Sequence, residues 1–228
     1  MKRTTLVDSM NLRLDPELSS KFPGLQAKLT YIQNVTVSPN SLELEAFKAK
    51  VFEETFKRWS LDELRENEVF RAYRDFFWKV KVDPTKTRPA SEALVRRILR
   101  GNPLPTINTL VDAYNLASVI TSIPFGAFDV DKMNGTPIMR EAKSEEKFLG
   151  IGMDKPIQLS GGEAVIQDDN RLIAVYPYRD ADYSKVTTET RNLLLMTCGV
   201  PGIGMEQLNK AESVGVDYIN RFCGGSSF

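Results

Sequence analysis

The side chains best suited to chemistry in this chain are carboxylates. Asp168 and Asp169 open the run DDNR between two apolar stretches. There aspartate is favoured for the hydrogen bonds it makes to its own turn, so a structural role is expected. Asp180 and Asp182 follow the second stretch, in YRDADYSK. A carboxylate at a strand end can accept a proton or hold a magnesium ion, and it can equally be a solvated loop residue. Residues 86–100 (KTRPASEALVRRILR) set five basic side chains against one glutamate. Arg96, Arg97 and Arg100 do not all fit on the face of Leu94 and Ile98, so some project outward. Such a stripe suits phosphates, with contacts that weaken as salt rises, or an ordinary charged helix face. Asn108, Asp112, Tyr114, Asn115, Ser118, Thr121 and Ser122 interrupt an otherwise apolar run. Buried, they need hydrogen-bond partners, and they either fasten the domain internally or line a pocket. Asp129 and Asp131 raise the same question.

Other chemistry is closed off. The 228 residues contain no histidine, which excludes Ser-His-Asp triads, HExxH sites and imidazole ligands. Cys198 and Cys223 stand too far apart for a CxxC motif or a four-ligand zinc site. With no signal peptide recognised, two free thiols suit a reducing cytosol, and a cytoplasmic location is expected. GVPGIG (199–204) matches neither dinucleotide nor Walker spacing, and Gly161-Gly162 reads as a turn. The basic start MKRTTLVDSM has no apolar run behind it, and no stretch approaches the roughly 20 apolar residues that span a bilayer. Lys+Arg and Asp+Glu both total 30. That balance argues against a strongly basic nucleic-acid surface but leaves room for a local patch. No membrane partner, no DNA partner, no metal and no cofactor are expected.

These side chains need a scaffold, and the length and 42% hydrophobic content provide one domain with a core. Residues 1–37 read as short β elements, with a strand in Leu25–Val37. Three helices are predicted over 41–100. Leu44, Phe47 and Val51 share a face, with Phe52, Phe56 and Trp59 beside it. Ser60 and Glu63 have capping-box spacing, leading into a stripe of Val69, Tyr73, Phe76 and Phe77. Pro89 opens the third helix and Gly101 stops it. Leu110–Ile120 reads as a helix and Ile123–Val130 as extended chain. Asn134-Gly135 is the strongest hairpin-turn signal. AVIQ (164–167) and LIAVY (172–176) form a hairpin, 190–197 is strand or helix, and Met205–Phe222 is a C-terminal helix containing Gly215. The class is α+β: one domain over 1–228, a helical segment at 41–100 and a core at 102–198.

Over Asn102–Cys198 an ordered series resembles the B3/B4 domain of the bacterial phenylalanyl-tRNA synthetase beta subunit. VDAYN (111–115), IPFGAFDVDKMNG (123–135), IMREAKSEEKF (138–148), GGEAVIQDDNRLIAV (161–175) and DYSKVTTETRNLLL (182–195) each match a family segment in order. The helices before residue 100 and at the C-terminus look like those of free-standing B3/4 proteins. The resemblance implies a three-layer fold around an unusual β-sandwich, with added helices. It implies a pocket that binds the aminoacyl group of misacylated tRNA and hydrolyses it, in the family tyrosine. Gly126 stands where the family has histidine. Asp182, with Asp180 as the alternative, stands where it has glutamate one methylene longer.

The resemblance therefore points to an RNA-binding, tRNA-related domain that holds the tRNA acceptor end and deacylates in trans. Asp182 or Asp180 would be catalytic. Asn115, Phe125, Gly126 and Phe128 would shape the pocket, and Arg96, Arg97 and Arg100 would meet phosphates. The alternative is a non-catalytic protein binding an amino-acid-like ligand or a protein partner.

Overall fold

The computed structural model describes residues 9–227; the basic start at 1–8 lies outside the described residues. The chain opens with β1 (Ser9–Asn11), β2 (Arg13–Leu14), α1 (Pro16–Lys21) and β3 (Gln26–Gln33). Four helices follow: α2 (Leu42–Arg58), α3 (Leu61–Glu66), α4 (Glu68–Lys79) and α5 (Ala90–Leu99). Then come α6 (Thr109–Thr121), β4 (Phe125–Asp129), β5 (Ile138–Glu141), β6 (Lys147–Phe148) and β7 (Ile157–Gln158). The chain closes with β8 (Ala164–Gln167), β9 (Leu172–Val175), β10 (Arg179–Asp180), β11 (Leu193–Gly199), α7 (Met205–Cys223) and β12 (Ser226–Ser227). This is a mixed α+β fold.

One sheet runs β1-β3-β11-β4, all antiparallel, with β12 also on β3. A second runs β10-β9-β8-β5-β2. Neighbouring residues of β4 show how the layers stack. A Cβ on Gly215 of α7 would lie 2.8 Å from the Phe125 ring, so Phe125 points at the helices. A Cβ on Gly126 would lie 3.3 Å from both carboxylate oxygens of Asp180, so the next residue points at the second sheet. The first sheet thus lies between α7 and the second sheet. One apolar cluster runs through all three, from Ala211 and Ile219 through Leu195 and Phe128 to Ile166 and Ala174.

The helical segment has its own core of Leu44, Val51, Leu64, Phe70, Val95 and Ile98. Helix α6 joins the two cores, giving Leu110, Ala113 and Ala117 to one and Leu116 and Val119 to the other. That two-sided burial is why its apolar residues are not confined to one face. Its polar residues fasten it. Asn108 caps the N-terminus by accepting from the N–H groups of Leu110 and Val111. Buried Asp112 pairs with Lys48 of α2 at 2.8 Å. Burial alone would lower the Lys48 pKa, but Asp112 and Glu45 hold it above its ordinary value. Ser118 donates to the Ile123 carbonyl, and Ser122 ends the helix with φ 64°.

Several sequence expectations change. The Ser60/Glu63 capping box forms, yet α3 lasts six residues, because Asn67 stops it and caps a new helix, α4. The predicted three helices are therefore four. The 25–37 strand ends at Gln33, and the ambiguous 190–197 stretch is strand β11. Asn134-Gly135 does not close a hairpin: β4 pairs with β11 and β5 with β8, so the chain there passes between sheets. Gly135 takes φ 70° and lies against the Asp169 side chain.

Asp168 locks this crossing. It is 2% exposed and accepts from the N–H groups of Asn134, Asn170 and Arg171 and from the Tyr183 hydroxyl. Burial opposes its ionisation, but those donors hold its pKa below the ordinary carboxylate value. Such a group stabilises above its unfolded pKa and loses its contribution as pH falls through the folded value. Asp168→Ala should therefore cost about 2–4 kcal/mol in denaturant unfolding at pH 7. The difference from the parent should shrink below about pH 4. An unchanged midpoint at pH 7 would show that Asp168 does not hold this crossing.

Candidate functional site

A cavity of about 190 Å³ lies where the two sheets meet the start of α5 and the middle of α6. Its wall includes Ala90 of α5, Tyr114 and Asn115 of α6, Phe125 and Gly126 of β4, and Met196 and Cys198 of β11. The other side is the β9–β10 hairpin from Ala174 to Asp180. The end of β11 is pinned from both sides. Tyr73 of α4 donates to the Cys198 carbonyl at 2.5 Å, and Tyr176 donates to the Gly199 carbonyl at 2.6 Å. Met196 is thereby held beside Gly126, where a Cβ would come within 3.0 Å of its Cε.

The carboxylate in the cavity belongs to Asp180, not Asp182. Asp180 sits opposite Ala174 in the β9–β10 pairing, and both line the wall. Beyond it the chain leaves the strand. Ala181 bridges Gly150, the Asp182 N–H donates to the Leu149 carbonyl, and the Asp182 carboxylate pairs with Lys185 at 2.7 Å. Asp182 is therefore carried away from Gly126. Phe128, expected at the pocket, is fully buried in the shared core and does not reach the wall. Phe125 is part of the wall although its ring turns toward α7. Asn115 and Gly126 both line it.

Asp180 forms no ion pair among the described residues; adjacent Arg179 donates instead to the Ile151 carbonyl at 3.0 Å. Burial pushes the Asp180 pKa up to about 7, against a smaller opposing effect of the Ala127 backbone N–H. Burial also raises the tyrosines around it and Cys198, with the Asp180 charge adding to Tyr114 and Cys198. Cys198 is thus a poor thiolate, and Asp180 is the group in this wall that titrates near neutrality.

A second recess adjoins the first. It encloses about 470 Å³ and is lined by Arg88, Arg96, Arg97 and Arg100, with Asn102 and Pro105. It shares Ala90 and Asn115 with the cavity. The three expected arginines therefore come together, and Arg88 joins them. Glu92, 1% exposed, organises this helix: it pairs with Arg74 of α4 at 2.9 Å and Arg96 at 2.7 Å. Arg97 donates to the Pro103 carbonyl, while the Arg100 side chain has no partner among the described residues. The wall residues Tyr176, Pro177 and Tyr178 were not found from sequence, although they directly precede Asp180. Asp168 and Asp169 lie outside the cavity wall, as does Asp129, which accepts from Thr190 at 2.7 Å.

The raised Asp180 pKa fixes a sign. The folded state keeps this proton longer than the unfolded chain, so stability falls as pH climbs from about 4 to about 7 and then levels. Tyr114, Tyr176, Tyr178 and Cys198, which line the same wall, are all shifted upward and stay neutral across that range. Above pH 7 Asp180→Asn should therefore be more stable than the parent by on the order of 1–3 kcal/mol after allowance for the open cavity, and should melt at a higher temperature. It should have no effect near pH 4. Melting curves from pH 4 to 8 check this, and a destabilised variant at pH 8 would contradict it.

A family model described as the B3/4 domain matches residues 72–222, more than half of the chain. The phenylalanine–tRNA ligase beta subunit of Fusobacterium nucleatum is 32% identical over 111 residues, 48% of this chain and 14% of that protein. The same subunit of Photorhabdus laumondii is 26% identical over 142 residues, 56% of this chain and 18% of that protein. The chain thus spans less than a fifth of either relative's length. An N-terminal fragment of the phenylalanyl-tRNA synthetase beta subunit from Pyrococcus horikoshii has the same general fold. It matches with TM-score 0.52 and 14% identity over 98% of this chain and 52% of that chain. Among the described residues no helix is long and apolar enough to cross a membrane. With the family match running from α4 through α7 and enclosing the whole cavity wall, the chain belongs to the B3/4 domain family.

Proposed function

We propose that this domain binds the aminoacylated 3′ end of a tRNA and hydrolyses the ester of a wrongly attached amino acid in trans. The observation that carries the reading is the shared boundary of the two recesses: Ala90 and Asn115 line both. One end of the combined site presents arginines and the other a single carboxylate. An aminoacyl ester of RNA has the complementary order, phosphates and then an amino acid. At about 190 Å³ the cavity is smaller than the roughly 300–1,000 Å³ of sites for drug-sized ligands. It suits an aminoacyl group better than a whole nucleoside. Asp180 meets that group and orients the attacking water or the substrate amine. Its pKa near the working pH lets it change protonation at little cost. The tyrosine specificity implied by the family resemblance is not carried over, because Gly126 replaces the histidine and the cavity carboxylate is Asp180.

A second reading is a binding protein without chemistry. It is favoured by the absence of another group in the wall that titrates near neutrality.

Two experiments separate these readings. In a deacylation screen over misacylated tRNAs, the parent should hydrolyse at least one. Asp180→Asn should lower that rate by about a hundredfold or more, and Asp182→Asn should leave it nearly unchanged. No hydrolysis across the screen would favour the binding reading, and full activity in Asp180→Asn would remove that residue from the site. For the groove, Arg100→Gln should weaken RNA binding and reduce the slope of log K against log salt by about 0.7. Weaker binding with an unchanged slope would mean that Arg100 does not contact phosphate.

A further inference from the structure

The cavity carboxylate has an unusual environment. Asp180 is half-buried, its sequence neighbour Arg179 donates to the Ile151 carbonyl, and no lysine or arginine pairs with it among the described residues. Every other deeply placed acid has a partner. Asp112 has Lys48, Glu92 has Arg74 and Arg96, Asp129 has Lys132, and Asp168 has four hydrogen-bond donors. A carboxylate taken from water without a cation is costly unless something supplies the charge. Asp180 also faces open space, with Gly126 opposite it instead of a side chain. Tyr114, Tyr176 and Tyr178 contribute to the wall, and aromatic walls with a carboxylate at one end favour cations.

We propose that the cavity is an ammonium site, in which Asp180 pairs with the free α-amino group of the ligand and the domain thereby discriminates against N-acylated amino acids. This deepens the proposed function and rests on the reading that an aminoacyl group enters the cavity. An uncharged, N-acylated amine leaves Asp180 without a counter-charge and brings an acyl group into the space beside Gly126. A charge-assisted hydrogen bond at a partly dry site corresponds to roughly ten- to a hundredfold in affinity.

The test uses the full chain and four probes: alaninamide, phenylalaninamide and their N-acetyl forms, titrated by calorimetry or by chemical-shift changes at β4 and β11. At least one free amide should bind roughly ten- to a hundredfold more tightly than its N-acetyl form. Asp180→Asn, expected to fold at least as well as the parent, should erase the preference. Equal binding of free and acetylated probes, no binding by any probe, or a preference that survives Asp180→Asn would each overturn the proposal. A parallel titration with single-stranded RNA ending in CCA separates this from the wider reading. RNA binding that depends on Arg100 without an amine preference overturns the ammonium site alone. An amine preference without RNA binding upholds the ammonium site and removes the groove from the function.

Discussion

The site depends on a side chain that is not there. At Gly126 the two sheets meet with only a hydrogen between the β4 backbone and the Asp180 carboxylate, whose oxygens lie 3.3 Å from where a Cβ would stand. A larger residue at 126 would occupy the space of that carboxylate or push it out toward solvent. The glycine is needed here for room, not for backbone freedom, because it sits within a regular strand paired to β11. Close approach leaves Asp180 with little water, and that burial raises its pKa to about 7 with no counter-ion among the described residues to offset it. Local stability is given up at this point, a pattern commonly found at functional sites.

The rest of the scaffold keeps that gap at fixed width. Two tyrosine hydroxyls, one from α4 and one from Tyr176 just after β9, hold the end of β11 by its carbonyls. The Asp112–Lys48 pair ties α6 to α2, and Glu92 ties α5 to α4. Both acids are almost fully buried, at 2% and 1% exposure. Replacing such pairs by apolar residues is often neutral for stability. Their effect here is geometric: each fixes a helix that supplies residues to both recesses. Gly215 plays a related part in α7, where its missing side chain lets the helix settle on Phe125 and Leu195.

Much of the scaffold could be read from sequence because local rules decide it. The β8–β9 hairpin, the capping box at Ser60 and the proline-opened α5 follow from residues within a few positions of one another. What failed needed long-range information. Asn134-Gly135 has ideal turn chemistry, but a turn does not specify whether its flanking strands pair with each other or with two different sheets. Asp180 and Asp182 have the same side chain and nearly the same place. Only the pairing of β10 with β9, and the departure of the chain along Leu149 and Gly150, decides which one faces Gly126. Phe128 looked like Phe125, yet the two lie on opposite faces of the same strand, and neither ring is free to stand in the cavity. The arginines were legible as a group because they share one short helix. Their union with the cavity was not, since it passes through Ala90 and Asn115, residues with no chemical signature of their own.

A chain with no net charge has little long-range attraction for a polyanion. On the proposed function, affinity for RNA would have to arise from contacts within the groove, and its arginines are not equivalent there. Arg96 is held by Glu92 and Arg97 by a backbone carbonyl, so both are oriented in advance, although Glu92 offsets part of the charge. Arg100 is exposed and unpaired among the described residues. A duplex body would find few phosphate contacts on such a surface. A single-stranded end, flexible enough to follow a short groove, would find several, and its terminal group would be placed at the cavity mouth. The charge distribution therefore favours recognition of a chain end over recognition of a helix, which is the geometry that an ester-bearing terminus requires.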